Sequence, residues 1–240
     1  MIDWLHRPAL EPEVEVSGHT LPIVLRRMRR ARRLTLRLAP DGGAVHITLP
    51  EWAESREAIA FAHARKAWLE EQLGRLPARA APVPGGELRY RGTALRLAWE
   101  PRAPRRPVVE GEVLRIGGPQ DGLQARLRRW LEAEALRLAA ADMRDYCAAV
   151  GLAPVPISLT RAQHRWGSCS DKSRIRINWR LVQAPDFVRR SVVAHEVAHL
   201  VHFDHSPAFH RLLQRIYEAD IKLADAWLKE HGRALYASFG

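Results

Sequence analysis

From His195 the chain reads HEVAHLVHFDH, ending at His205. Four of its 11 histidines fall in this stretch, with a single glutamate, Glu196, among them. The first five residues have the pattern H-E-x-x-H. On a helix, residues four apart lie about 40° apart around the axis, so His195 and His199 project from one face. Glu196 lies about 100° round from His195 and about 60° from His199, so it can reach a water on a metal without being a ligand. Two neutral imidazoles, a water and a nearby carboxylate base are what a metal-assisted hydrolase needs. Random placement at this composition would give roughly 0.04 such matches. The flanking FVRRSVVA and LVHF suit a buried helix.

A catalytic zinc site has three protein ligands and one open position. The candidates for the third are His202, His205, His210 and a distant acid such as Asp220. If the helix continued, His202 would share the stripe, but its α-carbon would lie about 10 Å from that of His195 along the axis. Three nearly collinear donors converge poorly on a tetrahedral centre. His205 lies just before Ser206-Pro207, and Ser as N-cap with Pro in the first helical position marks a new helix. The chain must therefore turn near residues 203–206, and His205 rides on that turn. Its distance from His199 is the metzincin spacing, although His202 stands where that consensus has glycine and no methionine turn is evident. His202 reads as a bystander.

The surrounding sequence predicts an α+β protein. Hydrophobic residues make up 47% of 240, enough for a buried core. Residues 12–50 alternate as β-structure, with a hairpin over 34–49 around Asp41-Gly42-Gly43. The run Arg26–Arg33 reads as a solvated, charged edge. A single helix is expected over 52–76, stopped by Pro77, followed by the linker ARAAPVPGG. Short strands are expected at 88–90, 95–99 and 113–116, with 101–107 as a loop. Asp121 is expected to cap a helix running to about Val150, with Gly151 as its stop. PISLT and RIRINW read as strands, and a helix starts near Asp186. No repeat is evident. The division expected is a β-rich region over 1–120 and a zincin-like catalytic domain over 121–240.

The formal net charge is +11. A nucleotide or nucleic acid is one partner this allows. Only four of the 38 basic residues are lysine, however, so the Arg/Ala bias can equally reflect genome composition. The N-terminal MIDWLHRPAL has no basic stretch leading into an apolar run, and no stretch reaches membrane-spanning length, so neither a signal peptide nor a membrane partner is expected. Two cysteines, Cys147 and Cys169, fit a reducing cytoplasm.

Three segments together resemble a known family: RWGSCS (165–170), RIRINWRL (174–181) and VVAHEVAHLVHFDHSPAFH (192–210) are similar to the YgjP-like metallopeptidases, relatives of the SprT-like zinc proteases. The resemblance extends from the Arg-rich hairpin to about His231. It implies a zincin-type domain, one zinc ion on His195, His199 and His205, Glu196 as general base, and a peptide or protein substrate. His210 stands where YgjP-like sequences more often have tryptophan. Trp166-Gly167-Ser168-Cys169 reads first as a tight bracing loop and second as a substrate-facing one. Asn178, on a strand expected beside the metal, joins Arg165 and Trp166 as a candidate substrate contact, because a peptide can add to a strand edge. Tyr217, His164 and Arg165 are candidates to stabilise an oxyanion. The alternative chemistry is attack on a phosphoanhydride, with Arg161, Arg165, Arg174 and Arg176 clamping phosphates. A third reading is a nucleic-acid-associated protease or binding module.

Overall fold

A computed structural model describes residues 12–76 and 81–239. The N-terminal MIDWLHRPAL and the stop at Pro77 lie outside the described residues, as do residues 78–80 of the linker. The chain is α+β, and its contacts divide it into two compact units, 1–78 and 79–239.

In the first unit, β1 (Glu13–Val16), β2 (His19–Arg27), β3 (Thr35–Leu38) and β4 (Val45–Leu49) form one sheet in the order β1-β2-β4-β3. Alternation puts Val14, Val16, Leu21, Ile23, Val45, Ile47 and Leu49 on its buried face. Two helices cover that face: α1 (Ser55–Ala64) and α2 (Lys66–Gly74). The expected single helix breaks at Arg65, whose φ of −102° and ψ of 16° leave the helical region. The break lets Ala58, Ala62 and Leu69 all enter the core. The arginine run is partly used locally: Arg27 Nη1 donates to the Ala53 carbonyl, and Arg29 pairs with Glu51 at 3.2 Å.

The second unit opens with a sheet of the same plan. β5 (Glu87–Tyr90), β6 (Thr93–Glu100), β7 (Val108–Glu110) and β8 (Val113–Gly117) take the order β5-β6-β8-β7. In both sheets the central pair is parallel and the outer pairs are antiparallel. Both first hairpins turn on two residues of positive φ, Ser17-Gly18 and Arg91-Gly92, which matches the twist of the flanking strands. The crossovers, residues 28–34 and 101–107, are equal in length, and both are rich in arginine. The architecture is therefore repeated where the sequence displays no repeat. Period-2 alternation and a tight turn define each copy, and many sequences satisfy those demands.

A long helix, α3 (Leu123–Ala149), follows β8. Its N-cap is Gly122 at φ 83°, not the expected Asp121, and Gly151 at φ 72° follows its end. Leu123, Leu127, Leu131 and Leu138 share a core with β5, β6 and β8. This shared core joins α3 to β5–β8 within one compact unit. The far half of α3, through Met143, Tyr146 and Cys147, enters the core of the last 90 residues.

There β9 (Ile157–Thr160), β10 (Gly167–Cys169) and β11 (Ile175–Asn178) form a sheet in the order β10-β11-β9. β11 is central, and the expected open strand edge belongs instead to β10. After a 3-10 turn over Trp179–Gln183 come α4 (Asp186–Ala198), α5 (Pro207–Ile216) and α6 (Ile221–His231). A buried ion pair fixes α4 on α3: Arg189 Nε donates to Asp142 at 2.7 Å, both side chains being at most 5% exposed. Arg190 reaches Asp142, Asp145 and Glu218, and Arg91 reaches Asp186. Among the described residues no helix is long and apolar enough to cross a membrane.

Candidate metal centre

α4 carries His195 and Glu196, and His199 is its C-cap. The chain then turns. Ser206 caps α5 by accepting from the Phe209 amide, with Pro207 in the first turn. His205 rides on the intervening turn and swings back toward the helix face. The ligand atoms of His195, His199 and His205 lie within 4.8 Å of one another. Nε2 of His195 stands 3.1 Å from Nε2 of His199 and 3.4 Å from Nε2 of His205. Zinc–nitrogen bonds of about 2.0–2.1 Å at a tetrahedral angle set donors about 3.3 Å apart, so these imidazoles fit such an ion.

The supports of the three rings are also in place. Nδ1 of His199 lies 3.1 Å from the His202 carbonyl. Donation there fixes the tautomer and leaves the Nε2 lone pair for a metal. Burial, then the neighbouring imidazoles of His199, His205 and His210, push the pKa of His195 down to about 4. The ring is therefore neutral near pH 7, the form that binds metals. Phe209, fully buried, touches all three imidazoles, with ring centroids 5.0, 4.5 and 5.0 Å from those of His195, His199 and His205.

Glu196 is 6% exposed and stays out of the donor set. Burial pushes its carboxyl up to about 7, against the charge of Arg165 and a backbone hydrogen bond from Cys169. β10 passes directly beside it. A Cβ added to Gly167 would lie 2.8 Å from Cγ and Cδ of Glu196 and closer still to Oε1. Gly167 thus opens the space that the carboxylate occupies.

The remaining candidates sort by position. His202 contributes its carbonyl to His199 and is not in the donor set; nor are His210, Asp220 or Cys169. A cavity of about 560 Å³ opens on His195 and Glu196. Trp166, Val192, Leu213 and Leu228 form apolar walls, and His210, Asp220 and Asp225 also line it. Arg165 is exposed. Asn178 is fully buried: its amide donates to the carbonyls of Ala162 and Arg165, and its Oδ1 accepts from the Arg180 amide. It holds the segment that carries Arg165 and Trp166 and does not line the cavity. Tyr217 donates its hydroxyl to the Phe187 carbonyl at 2.8 Å. The sequence reading gives Gly167 only a place in a bracing loop and gives Phe209 no role. A glycine in a turn and a phenylalanine in a helix are ordinary there, and only proximity gives them a role.

A family model described as YgjP-like, metallopeptidase domain, matches residues 32–231. The chain belongs to the YgjP-like family. The YgjP-like match takes in β10, the three histidines, Glu196 and the cavity beside them. Membership makes the chain a metallopeptidase-type hydrolase and implies a metal and a peptide or protein substrate. Neither curated proteins nor solved structures provide a match to this YgjP-like chain.

Proposed function

We propose that this YgjP-like protein is a zinc-dependent peptidase in which His195, His199 and His205 hold one zinc ion and Glu196 is the general base. One observation carries the reading: three imidazole donors converge within 4.8 Å while the buried carboxylate beside them stays outside the donor set. Zinc held there would supply a Lewis acid that polarises a carbonyl and makes water nucleophilic near neutral pH. Glu196 takes the proton of the attacking water and delivers it to the leaving nitrogen.

Substrate lies as an extended strand along the open edge of β10, using backbone hydrogen bonds. Trp166 borders the adjoining cavity. Arg165 is assigned to the developing oxyanion, since its charge reaches Glu196 whereas the Tyr217 hydroxyl is spent on Phe187. Phosphoanhydride hydrolysis has weaker support: Arg161, Arg174 and Arg176 do not line the cavity and Arg161 is paired with Glu132 at 2.9 Å, so Arg165 alone would be left to meet a phosphate. Cys147 and Cys169 are both free, in keeping with a reducing cytoplasm as the working compartment.

The test compares zinc-loaded wild type and Glu196→Gln on a peptide mixture and on nucleoside triphosphates. Wild type should cleave peptides, and the variant should keep one zinc while losing about 10²–10⁴-fold in rate. A fully active variant sinks the role of Glu196. Phosphate release without peptide cleavage sinks the peptidase reading.

A further inference from the structure

A second cavity, of about 860 Å³, lies in the 79–239 unit and shares no lining residue with the one at His195. Four guanidinium groups line it: Arg105 and Arg106 from the crossover before β7, and Arg126 and Arg129 from α3. Arg105, Arg106 and Arg129 make no hydrogen bond or ion pair among the described residues. Arg126 spends Nη2 on the Pro119 carbonyl at 2.6 Å, while its Nε is shielded from solvent and has no partner. The one acid on the lining, Glu134, is already engaged. It accepts from the Tyr90 hydroxyl at 2.7 Å and from Arg137 at 2.6 Å. Arginine does not shed its proton, so this concentration of charge is uncompensated within the unit.

Two further features narrow the ligand. Trp130 and Tyr90 line the same cavity as an aromatic pair, their ring centroids 4.9 Å apart, and Trp130 is half-exposed. Gly122 and Ala125 of the first turn of α3 also line it, and that turn has neither a side-chain cap nor an acid. The positive end of a long helix therefore opens onto the same space as the four arginines. Guanidinium forks and helix amides recognise phosphate oxygens, and an exposed indole recognises a planar base.

We propose that this cavity is a nucleotide-binding site, separate from the metal centre, that takes phosphates on Arg105, Arg106, Arg126 and Arg129 and a base on Trp130. The nucleotide can be free or a unit of a single strand, because the chemistry recognised is the same. A carboxylate-rich peptide would use the arginines and leave the aromatic pair idle.

The experiment titrates the full-length, zinc-loaded protein with three probes: a labelled 12-nucleotide oligothymidylate, ATP, and a polyglutamate peptide of matched charge. Oligothymidylate binding should weaken as salt rises, with a log–log slope that Arg105→Ala/Arg106→Ala makes shallower by about one to two units. The same double variant should bind at least about tenfold more weakly, as should Trp130→Ala. Its peptide hydrolysis should be unchanged, which separates this site from the metal centre. ATP binding as tightly as the oligonucleotide assigns the site to free nucleotides, and much weaker ATP binding assigns it to a strand. Binding of neither, equal binding of polyglutamate, or affinity unchanged in the double variant overturns the proposal. The arginine pair sits on a loop, so if Trp130→Ala fails to fold the double variant alone decides.

Discussion

Gly167 faces the carboxylate of Glu196 so closely that no side chain fits between them. Gly167→Ala must displace either β10 or the carboxylate. In zinc-loaded protein the expected result is a loss of about 10²-fold in kcat, because a displacement on the order of 1 Å at a reacting group costs that much. Zinc content should be unchanged, since neither residue is in the donor set. Metal analysis beside steady-state kinetics checks this, and full activity would show that β10 yields without cost.

Phe209 packs against all three imidazoles. Phe209→Ala should cost about 3–5 kcal/mol of stability by leaving a cavity. It should also weaken zinc binding by about 10–100-fold, because the rings lose the wall that orients them. Phe209→Leu keeps most of the volume and loses the flat face. It should therefore fold well and still bind zinc less tightly in a chelator competition. Wild-type zinc affinity in both variants would reduce Phe209 to a core residue.

The convergence of the three imidazoles is legible in the sequence because one local rule suffices for each step. Four-residue spacing put His195 and His199 on one face, and Ser206-Pro207 announced the turn that brings His205 back. That legibility ends where placement depends on tertiary neighbours. Asn178 looked like a polar residue near the metal, but its amide is consumed by the backbone of 162–165. Alternation marks β11 as a half-buried strand and does not say which strands flank it; β10 lies between it and the edge of the sheet. Three residues with a glycine at one end give no periodic signal, so β10 was invisible as a strand. The repeated sheet was missed for a related reason: its rules constrain alternation and turn conformation, not residue identity.

The ion pairs that hold α4 predict the response to acid. Burial alone would raise Asp186, but hydrogen bonds from Arg91 and Arg189 outweigh it and hold the carboxyl below its usual range. Glu218 follows the same balance, with Arg190 and the Tyr146 hydroxyl prevailing over burial. A folded pKa below the unfolded one gives stability that is fully present above the unfolded value and is lost as pH falls through the folded value. Thermal stability should thus be insensitive to these groups above about pH 5 and fall below about pH 4. Arg190→Gln should lower the melting temperature near pH 7 and flatten the acid limb. A melting curve series from pH 7 to 3 on both proteins tests it, and parallel limbs would exclude Arg190 as the cause.

The cavity beside Glu196 carries a specificity prediction. Trp166, Val192, Leu213 and Leu228 give it apolar walls, and Asp225 on its lining has no hydrogen bond or ion pair among the described residues, not even with Lys222, which lines the same cavity. Asp220, also on the lining, is committed to capping α6 through the Lys222 amide at 2.8 Å. A substrate side chain that is long, apolar along its stem and cationic at its tip satisfies both the walls and the unspent acid, as lysine and arginine do. Asp225 is exposed, so the gain is that of a solvent-screened pair, and Asp225→Asn should lower kcat/KM for a lysine-containing peptide by about threefold to fivefold. The matched leucine peptide should be cleaved as well as before. An equal loss on both peptides would assign Asp225 to the fold, and no loss on either would leave the pocket selecting on apolar length alone.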